Sequence, residues 1–259
     1  MATPTTDLRY RIEGGPDNPV LVLSHAMGAS MAMWEPQVER LSRAFRVLRY
    51  DHRGHGGSPV PAGPYTIGDI GGDLLRLLDR LGLERISFCG LSLGGMVGLW
   101  LAANAPERID RLVLCCSAPR MLRPEDFAAR ARQVRSQGMA SIADAVIGRW
   151  FTPAFASRRP DLVAATRAVF ESSPAEGYAA TCEALAGMDQ RADLPRIVAP
   201  TLVIAAEHDQ STPPEQSREM VTRMRDARLL LVAAAAHLAN VEQPEAVTEG
   251  ILDHLTARR

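Results

Sequence analysis

The sequence contains no long apolar run. No stretch approaches the roughly 18 to 20 apolar residues that a membrane-spanning helix needs. The opening segment, MATPTTDLRYRIEGG, also lacks the apolar region of a signal peptide. We therefore expect a protein that neither enters a membrane nor is exported, with a cytoplasmic location.

An excess of charge of either sign is also missing. The chain has 29 basic and 30 acidic residues and a formal net charge of -1. Such a balance gives no electrostatic attraction to nucleic acid or to an anionic membrane surface. We expect a small-molecule partner, no nucleic acid and no membrane, and the sequence does not specify an oligomeric state.

Cysteine is scarce, and its spacing does not match a metal site. Cys89, Cys115, Cys116 and Cys182 are the four cysteines, and no pair has ligand spacing. Adjacent residues 115 and 116 are expected on opposite faces of a strand. We predict reduced, mostly buried thiols, no metal and no cofactor; a thiol nucleophile at Cys89 is the less favoured alternative.

The 259 residues, 46% of them hydrophobic, can bury a large core. Short apolar runs typical of buried strands occur at 20–24, 46–50, 86–90, 111–116, 201–206 and 228–233. Segments with apolar residues three or four apart, typical of helices, occur at 67–81, 93–104 and 244–255. This alternation predicts an α/β fold, with a mostly parallel sheet flanked by helices.

One interval interrupts the alternation. Between about residues 120 and 190 no strand is evident, and glycine and proline punctuate several short helical segments. We predict a helical cap, residues 120–190, inserted into a core made of residues 1–119 and 191–259.

The stretch FCGLSLGGMVGLWLA, residues 88–102, surrounds Ser92 with glycines. A serine on the turn between a buried strand and a helix adopts a strained backbone, and glycine neighbours remove the steric obstruction. The G-x-S-x-G pattern in this strand-to-helix context predicts a nucleophile elbow at Ser92. Glycines that serve only a tight turn are the alternative.

A serine nucleophile needs a base, and the base needs an acid that orients it. His237 follows the last predicted strand, at the end of the sheet where ligands of open α/β folds bind. The loop EHDQSTPP after the strand at 201–206 offers Asp209, with Glu207 as the alternative acid. Structural roles are favoured for His25, His52 and His55, whereas His254 lies in the last helix.

The oxyanion of an acyl-transfer reaction needs preorganised donors. We predict the backbone N–H of Leu93, at the positive end of a helix, and that of Met27 in the loop SHAMGAS. The alternative is that AMGAS is a simple connection.

These residues resemble the α/β-hydrolase superfamily and, within it, the 3-oxoadipate enol-lactonases of aromatic-compound degradation in the β-ketoadipate pathway. The similar stretches cover nearly the whole chain and are MWEPQVERLSRAFRVLRYDHRGHGGS, GPYTI, CGLSLGGMVGLWLA, APERIDRLVL, GMASIADAVIGRWFTPAF, EGYAATCEAL, APTLVIA and AAHLANVEQP. The resemblance implies an α/β-hydrolase fold, a triad of Ser92, Asp209 and His237, and hydrolysis of a small enol-lactone that carries a carboxylate.

The sequence departs from that family at two places. It has His-Ala-Met-Gly at 25–28 where Asn-Ser-Leu-Gly is common, and Gln-Ser at 210–211 where Pro-Ala is common. Neither departure involves the triad, but the first lies in the predicted oxyanion loop and bears on substrate preference.

A carboxylated substrate calls for a cation, and an arginine fork suits a carboxylate. Arg130 and Arg135 in the cap are the candidates, and Trp150 either forms a wall of the pocket or belongs to the cap core. A carboxylesterase or perhydrolase of broader specificity with the same triad is the alternative function. A non-enzymatic ligand receptor on this fold is a remote alternative.

Overall fold

The computed structural model describes residues 7–257. The first six and last two residues of the predicted core lie outside the described residues. The described part forms one seven-stranded sheet, ordered β1-β3-β2-β4-β5-β6-β7. Its strands are β1 Tyr10–Glu13, β2 Val20–Ser24, β3 Arg46–Tyr50, β4 Ile86–Leu91, β5 Ile109–Cys115, β6 Thr201–Ala206 and β7 Ala227–Val232.

The sheet is parallel except at one edge, where β1 pairs antiparallel with β3. All six predicted strands are present, and the predicted α/β class is confirmed. Strands β4 and β6 are buried at every position, because helices cover both faces of a parallel sheet. Strand β1 was not predicted, since its residues YRIE are partly or fully exposed and form no apolar run.

Residues 7–257 also contain eleven α-helices. They are α1 Glu35–Leu41, α2 Ile67–Arg80, α3 Leu93–Asn104, α4 Pro124–Gln137, α5 Ala140–Trp150, α6 Pro153–Arg158, α7 Pro160–Glu171, α8 Ala175–Ala186, α9 Pro214–Arg223, α10 Ala239–Glu242 and α11 Pro244–Thr256. Proline begins five of them, at the position where a helix loses no hydrogen bond by lacking an N–H. None of the described helices is long and apolar enough to cross a membrane.

Helices α4 to α8 lie between β5 and β6, and we call them the five-helix insertion. An isolated antiparallel bridge joins Arg120 to Asp189 at its two ends. The insertion rests on the loop after β3, where Gly54 and Gly177 of α8 meet backbone to backbone. A Cβ atom on either glycine would overlap the other, so this contact requires glycine at both positions. That the insertion forms a separate cap remains a prediction.

The four cysteines are free and buried in the structure. The expectation that Cys115 and Cys116 point to opposite faces of a strand was wrong. Strand β5 ends at Cys115, and Cys116 adopts φ 43°, outside the strand conformation. The two sulfur atoms are consequently 3.9 Å apart.

Candidate active site

Ser92 lies on the turn between β4 and α3, as predicted. Its backbone has φ 55° and ψ -114°, a strained conformation for a residue with a side chain. Its N–H donates to the Cys115 carbonyl at 2.9 Å, and its own carbonyl accepts from Ser117 Oγ at 2.9 Å. A Cβ on Gly94 would overlap the Ser24 carbonyl. The glycines therefore permit a close approach of backbone segments that holds the strained turn in place.

His237 and Asp209 form a buried pair on two loops at the same end of the sheet. Asp209 follows β6, His237 follows β7, and their side chains are at most 4% exposed. His237 Nδ1 lies 2.9 Å from Asp209 Oδ2 and 3.0 Å from Oδ1. With Nδ1 occupied in this way, Nε2 is the ring nitrogen left for a proton transfer. Both His237 and Ser92 line one cavity.

Further donors hold the Asp209 carboxylate. The backbone N–H groups of Ser211 and Thr212 donate to Oδ1 at 2.8 and 3.0 Å, and the Thr212 hydroxyl donates to Oδ2 at 2.8 Å. Burial alone would raise the pKa of Asp209, but His237 and the Thr212 hydrogen bonds outweigh it and lower this pKa below its ordinary value. The carboxylate is thus kept charged beside the imidazole.

The alternative acid, Glu207, points elsewhere. Its side chain is 49% exposed, and Oε2 accepts a hydrogen bond from the Ala234 N–H at 3.0 Å. It therefore caps a turn after β7 and makes no contact with His237 among the described residues.

The loop after β2 brings Met27 to the same cavity. His25 fixes this loop, because its Nδ1 lies 2.7 Å from the Ala26 carbonyl and its Nε2 accepts from the His52 N–H at 3.1 Å. The Ala26 carbonyl and the Met27 N–H belong to one peptide group, so the imidazole sets the direction of that N–H. Leu93 is the first residue of α3, where the N–H has no partner within the helix.

Glu242, which the sequence analysis did not single out, connects the loop that carries His237 to the five-helix insertion. Oε1 accepts from the N–H and the hydroxyl of Thr152 at 3.1 and 2.6 Å, where α6 begins. Oε2 accepts from the N–H of Ala236, the residue before His237, at 2.6 Å. In the sequence, the only indication was an acidic residue five positions after His237. Its partner Thr152 is 90 residues away along the chain, so no local pattern reveals the contact.

The cavity at Ser92, which we call the Ser92 cavity, has a volume of about 180 Å³. Apolar side chains form much of its wall, among them Met27, Met96, Val146, Trp150 and Leu185. Trp150 also packs edge-on against Phe170 with ring centroids 5.5 Å apart. Trp150 therefore lines the Ser92 cavity and also packs within the five-helix insertion, and its contact with a substrate stays a prediction.

Arg130 lines the Ser92 cavity, together with Arg123 and Arg149. Its guanidinium lies 5.0 Å from the centre of the Phe127 ring, and Nη1 lies 3.5 Å from the Tyr178 hydroxyl. Within residues 7–257 it has no ion pair, whereas Arg123 pairs with Asp126 at 3.1 Å.

Arg135, the other arginine predicted to meet a substrate, is placed elsewhere. Its guanidinium pairs with Glu176 at 2.8 Å and with Glu183, both on α8. It does not line the Ser92 cavity, and its charge is already neutralised by two carboxylates. Arg135 thus joins α4 to α8 rather than facing the site.

His52 and His55, for which structural roles were expected, and His254 in α11 are buried in hydrogen-bonded positions. His52 Nε2 lies 3.2 Å from Ser24 Oγ, His55 Nδ1 lies 3.1 Å from the Arg53 carbonyl, and His254 Nε2 lies 3.1 Å from the Pro200 carbonyl. Among residues 7–257, no group of three or more His, Cys, Asp or Glu side chains is placed to hold a metal ion.

Known proteins resemble the chain over nearly its full length. The 3-oxoadipate enol-lactonase 2 of Acinetobacter baylyi is 38% identical over 244 residues, which cover 94% of this chain and 91% of that protein. A Stutzerimonas stutzeri protein named "Putative carbamate hydrolase RutD" is 34% identical, with 96% of each chain covered. The crystal structure of the enol-lactonase from Burkholderia xenovorans is 44% identical, covers 99% of each chain and has a TM-score of 0.96.

A family model described as the alpha/beta hydrolase fold matches residues 19–244. Its match spans both the strained turn at Ser92 and the loops that carry Asp209 and His237. With relatives of this kind over nearly its whole length, the chain belongs to the alpha/beta hydrolase fold family and is a hydrolase.

Proposed function

We propose that the chain is a serine hydrolase that opens a small enol-lactone carrying a carboxylate, converting 3-oxoadipate enol-lactone to 3-oxoadipate through an acyl-enzyme. Ser92 is the nucleophile, His237 the base and Asp209 the acid that orients it. The N–H groups of Met27 and Leu93 bind the oxyanion. A cap formed by residues 120–190, a cytoplasmic location and a role in aromatic-compound degradation belong to the same proposal.

The observation that supports this proposal most directly is the position of Arg130 in the wall of the Ser92 cavity. Within residues 7–257 its half-buried guanidinium forms no ion pair and lines the cavity that Ser92 and His237 line. The nearby carboxylate of Asp126 is paired with Arg123. Desolvating a charge is costly unless an opposite charge accompanies it. A substrate carboxylate would supply that charge and would form charge-assisted hydrogen bonds with the guanidinium.

The size of the Ser92 cavity supports a compact substrate. Its volume of about 180 Å³ is below the roughly 300 to 1,000 Å³ of sites for drug-sized ligands. A small lactone ring suits this space better than a long-chain ester does.

The reaction follows from these positions. His237 Nε2 takes the proton of the Ser92 hydroxyl as Oγ attacks the lactone carbonyl, and the two N–H groups stabilise the resulting oxyanion. The tetrahedral intermediate breaks the ring C–O bond, and the imidazolium returns the proton to the departing enol oxygen. Because the leaving group stays attached to the acyl chain, its enol becomes a ketone on the enzyme. His237 then deprotonates a water molecule that attacks the acyl carbon. The bond from that carbon to Ser92 Oγ breaks, the imidazolium returns its proton to Oγ, and the acid that is released ionises to the second carboxylate.

A carbamate hydrolase activity is the second candidate, because the RutD relative is 34% identical over nearly the whole chain. An esterase of broader specificity would use the same Ser92, Asp209 and His237. The esterase activity differs from the proposed one in not requiring a cation for a substrate carboxylate.

The test compares kcat/KM for 3-oxoadipate enol-lactone, phenyl acetate and ethyl carbamate. We expect the lactone to be preferred, and Ser92→Ala to abolish all turnover while the protein remains folded. Arg130→Gln should lower kcat/KM for the lactone by roughly 10- to 150-fold, mainly through KM, since a charge-assisted hydrogen bond is worth about 1.5 to 3 kcal/mol. Arg130→Gln should change kcat/KM for phenyl acetate only slightly.

Arg132→Gln is the matched control. Arg132 is exposed on the same helix, has no ion pair within the described residues and does not line the Ser92 cavity. Equal losses on lactone and neutral ester in Arg130→Gln would refute carboxylate recognition. A higher kcat/KM for phenyl acetate or for the carbamate would favour the corresponding alternative.

A further inference from the structure

A second, larger cavity adjoins the Ser92 cavity. Its volume is about 550 Å³. Arg149 and Gln210 line both cavities, so the two spaces meet at these side chains. We call it the Arg158 cavity, and its other lining residues are Gly148, Phe151, Thr152, Pro153, Ala154, Arg158, His208, Ala234, Ala236 and Gln243.

Among residues 7–257, the side chains that line the Arg158 cavity include two arginines and no carboxylate. Arg149 lies in the last turn of α5 and Arg158 in the last turn of α6. Neither has an ion pair within residues 7–257, although Arg135, Arg159 and Arg167 of the same region do. His208 approaches Glu207 at 3.7 Å, but Glu207 does not line this cavity.

The proposed reaction makes an anion of higher charge. Hydrolysis of a carboxylated lactone produces a second carboxylate, so the product is a dianion whereas the substrate is a monoanion. A concave surface that carries charge of one sign concentrates ions of the opposite sign. The product leaves a small cavity bordered by Arg149, and Arg149 also borders the Arg158 cavity, whose second arginine has no ion pair in the described part of the chain.

We propose that the Arg158 cavity is a binding site for small dicarboxylates, through which the product of the Ser92 cavity leaves. Arg149 contacts the anion in both cavities, and Arg158 binds it in the outer one. Gln210, Thr152 and Gln243 supply neutral polar groups. This assignment rests on the proposed function for the identity of the anion, but the anion site itself can be tested without the lactone.

The test measures inhibition by adipate, a stable six-carbon dicarboxylate, with the neutral ester phenyl acetate as substrate. We expect Arg158→Gln to raise the inhibition constant of adipate by roughly 1.5- to 5-fold, the range for an exposed ion pair. Arg158→Lys, which keeps the charge, should restore most of the affinity. Arg132→Gln makes the same change in net charge outside both cavities and should leave adipate inhibition unchanged.

A second variant fills the space without altering charge. Gly148 lines the Arg158 cavity, and a Cβ at this position would meet no atom within 4 Å. Gly148→Leu should therefore keep the urea-unfolding midpoint of the parent protein and should also weaken adipate inhibition.

The proposal is overturned if adipate does not inhibit the parent protein, or if Arg158→Gln and Gly148→Leu leave its inhibition constant unchanged. It is also overturned if Arg132→Gln weakens inhibition as much as Arg158→Gln does. These outcomes are independent of the lactone assay. If the parent protein prefers phenyl acetate to the lactone and Arg158→Gln still weakens adipate binding, the proposed substrate is wrong and the anion site is supported.

Discussion

Asp209 and Glu207 lie two residues apart on one loop, yet only Asp209 reaches His237. We expect Asp209→Asn to lower kcat by about 10⁴-fold, as loss of the orienting carboxylate does in serine proteases. The reason is that an amide neither stabilises the imidazolium nor selects the tautomer with a proton on Nδ1. Steady-state kinetics with the preferred substrate measure the effect.

Glu207→Gln removes the same charge from the same loop and is the matched control. Its side chain is about half exposed and its Oε2 accepts from Ala234, so we expect a change of no more than a few-fold in kcat. Comparable losses in the two variants would show that the acid is not Asp209.

The sequence predicted residues whose role depends on local geometry better than residues whose role depends on distant partners. Ser92 could be placed because the strained turn, the glycines and the following helix are contiguous. Arg135 could not, because the two glutamates that neutralise it lie on α8, more than forty residues along the chain. For the same reason, no pattern around residue 242 indicated a bond to Thr152.

At the scale of elements, Glu242 connects α6 with the loop that carries His237. We expect Glu242→Gln to lower the free energy of unfolding by about 1 to 3 kcal/mol, because the amide NH₂ would face a buried donor. It should also lower kcat, since the Ala236 N–H adjoining the proposed base loses its acceptor. Urea unfolding and steady-state kinetics measure the two effects.

Thr152→Val distinguishes the two contacts that the Glu242 carboxylate makes. It removes the hydroxyl on the insertion side and the N-cap of α6, but leaves Ala236 bonded to Glu242. We expect a loss of about 1 kcal/mol of stability with kcat nearly unchanged. If Thr152→Val reduced kcat as much as Glu242→Gln, Glu242 would act by holding the insertion and not by positioning the histidine.

The elements themselves were predictable where burial makes the pattern plain. Strands such as β6, buried at every position, leave continuous apolar runs, and prolines at 153 and 160 mark helix starts. Strand β1 pairs only at an edge and is half exposed, so its composition carries little signal. Helix α1 is only seven residues long and buries two side chains, too few for a clear period.

At the scale of the whole molecule, three buried histidines make folding stability depend on pH. Burial lowers the pKa values of His25, His52 and His55, the last to about 3, and the nearby Asp51 opposes this effect at His25 and His55. An unfolded histidine titrates near 6.5. Because the folded pKa of each histidine is lower than the unfolded one, the free energy of unfolding is greatest above about pH 6.5 and decreases as the pH falls below that value. Below pH 6.5, each histidine that stays neutral in the folded protein should lower the free energy of unfolding by up to about 1.4 kcal/mol per pH unit of acidification.

Urea unfolding at a series of pH values from 7 to 5 measures this slope. His55→Asn, which can keep the hydrogen bond to the Arg53 carbonyl without titrating, should make the slope shallower. His208→Asn alters an exposed histidine and should leave the slope as it is. A parent protein whose stability does not change over this range would contradict the buried neutral state.

Because all four cysteines are buried, we expect the folded chain to react slowly with thiol reagents. The thiolate is the reactive form, and burial raises the pKa of Cys89 above its ordinary value and that of Cys182 to about 12. Leu122 lines the Ser92 cavity and is 53% exposed. Leu122→Cys would therefore offer one accessible thiol beside the cavity, so that a fluorophore or spin label could be attached there with the native cysteines left in place.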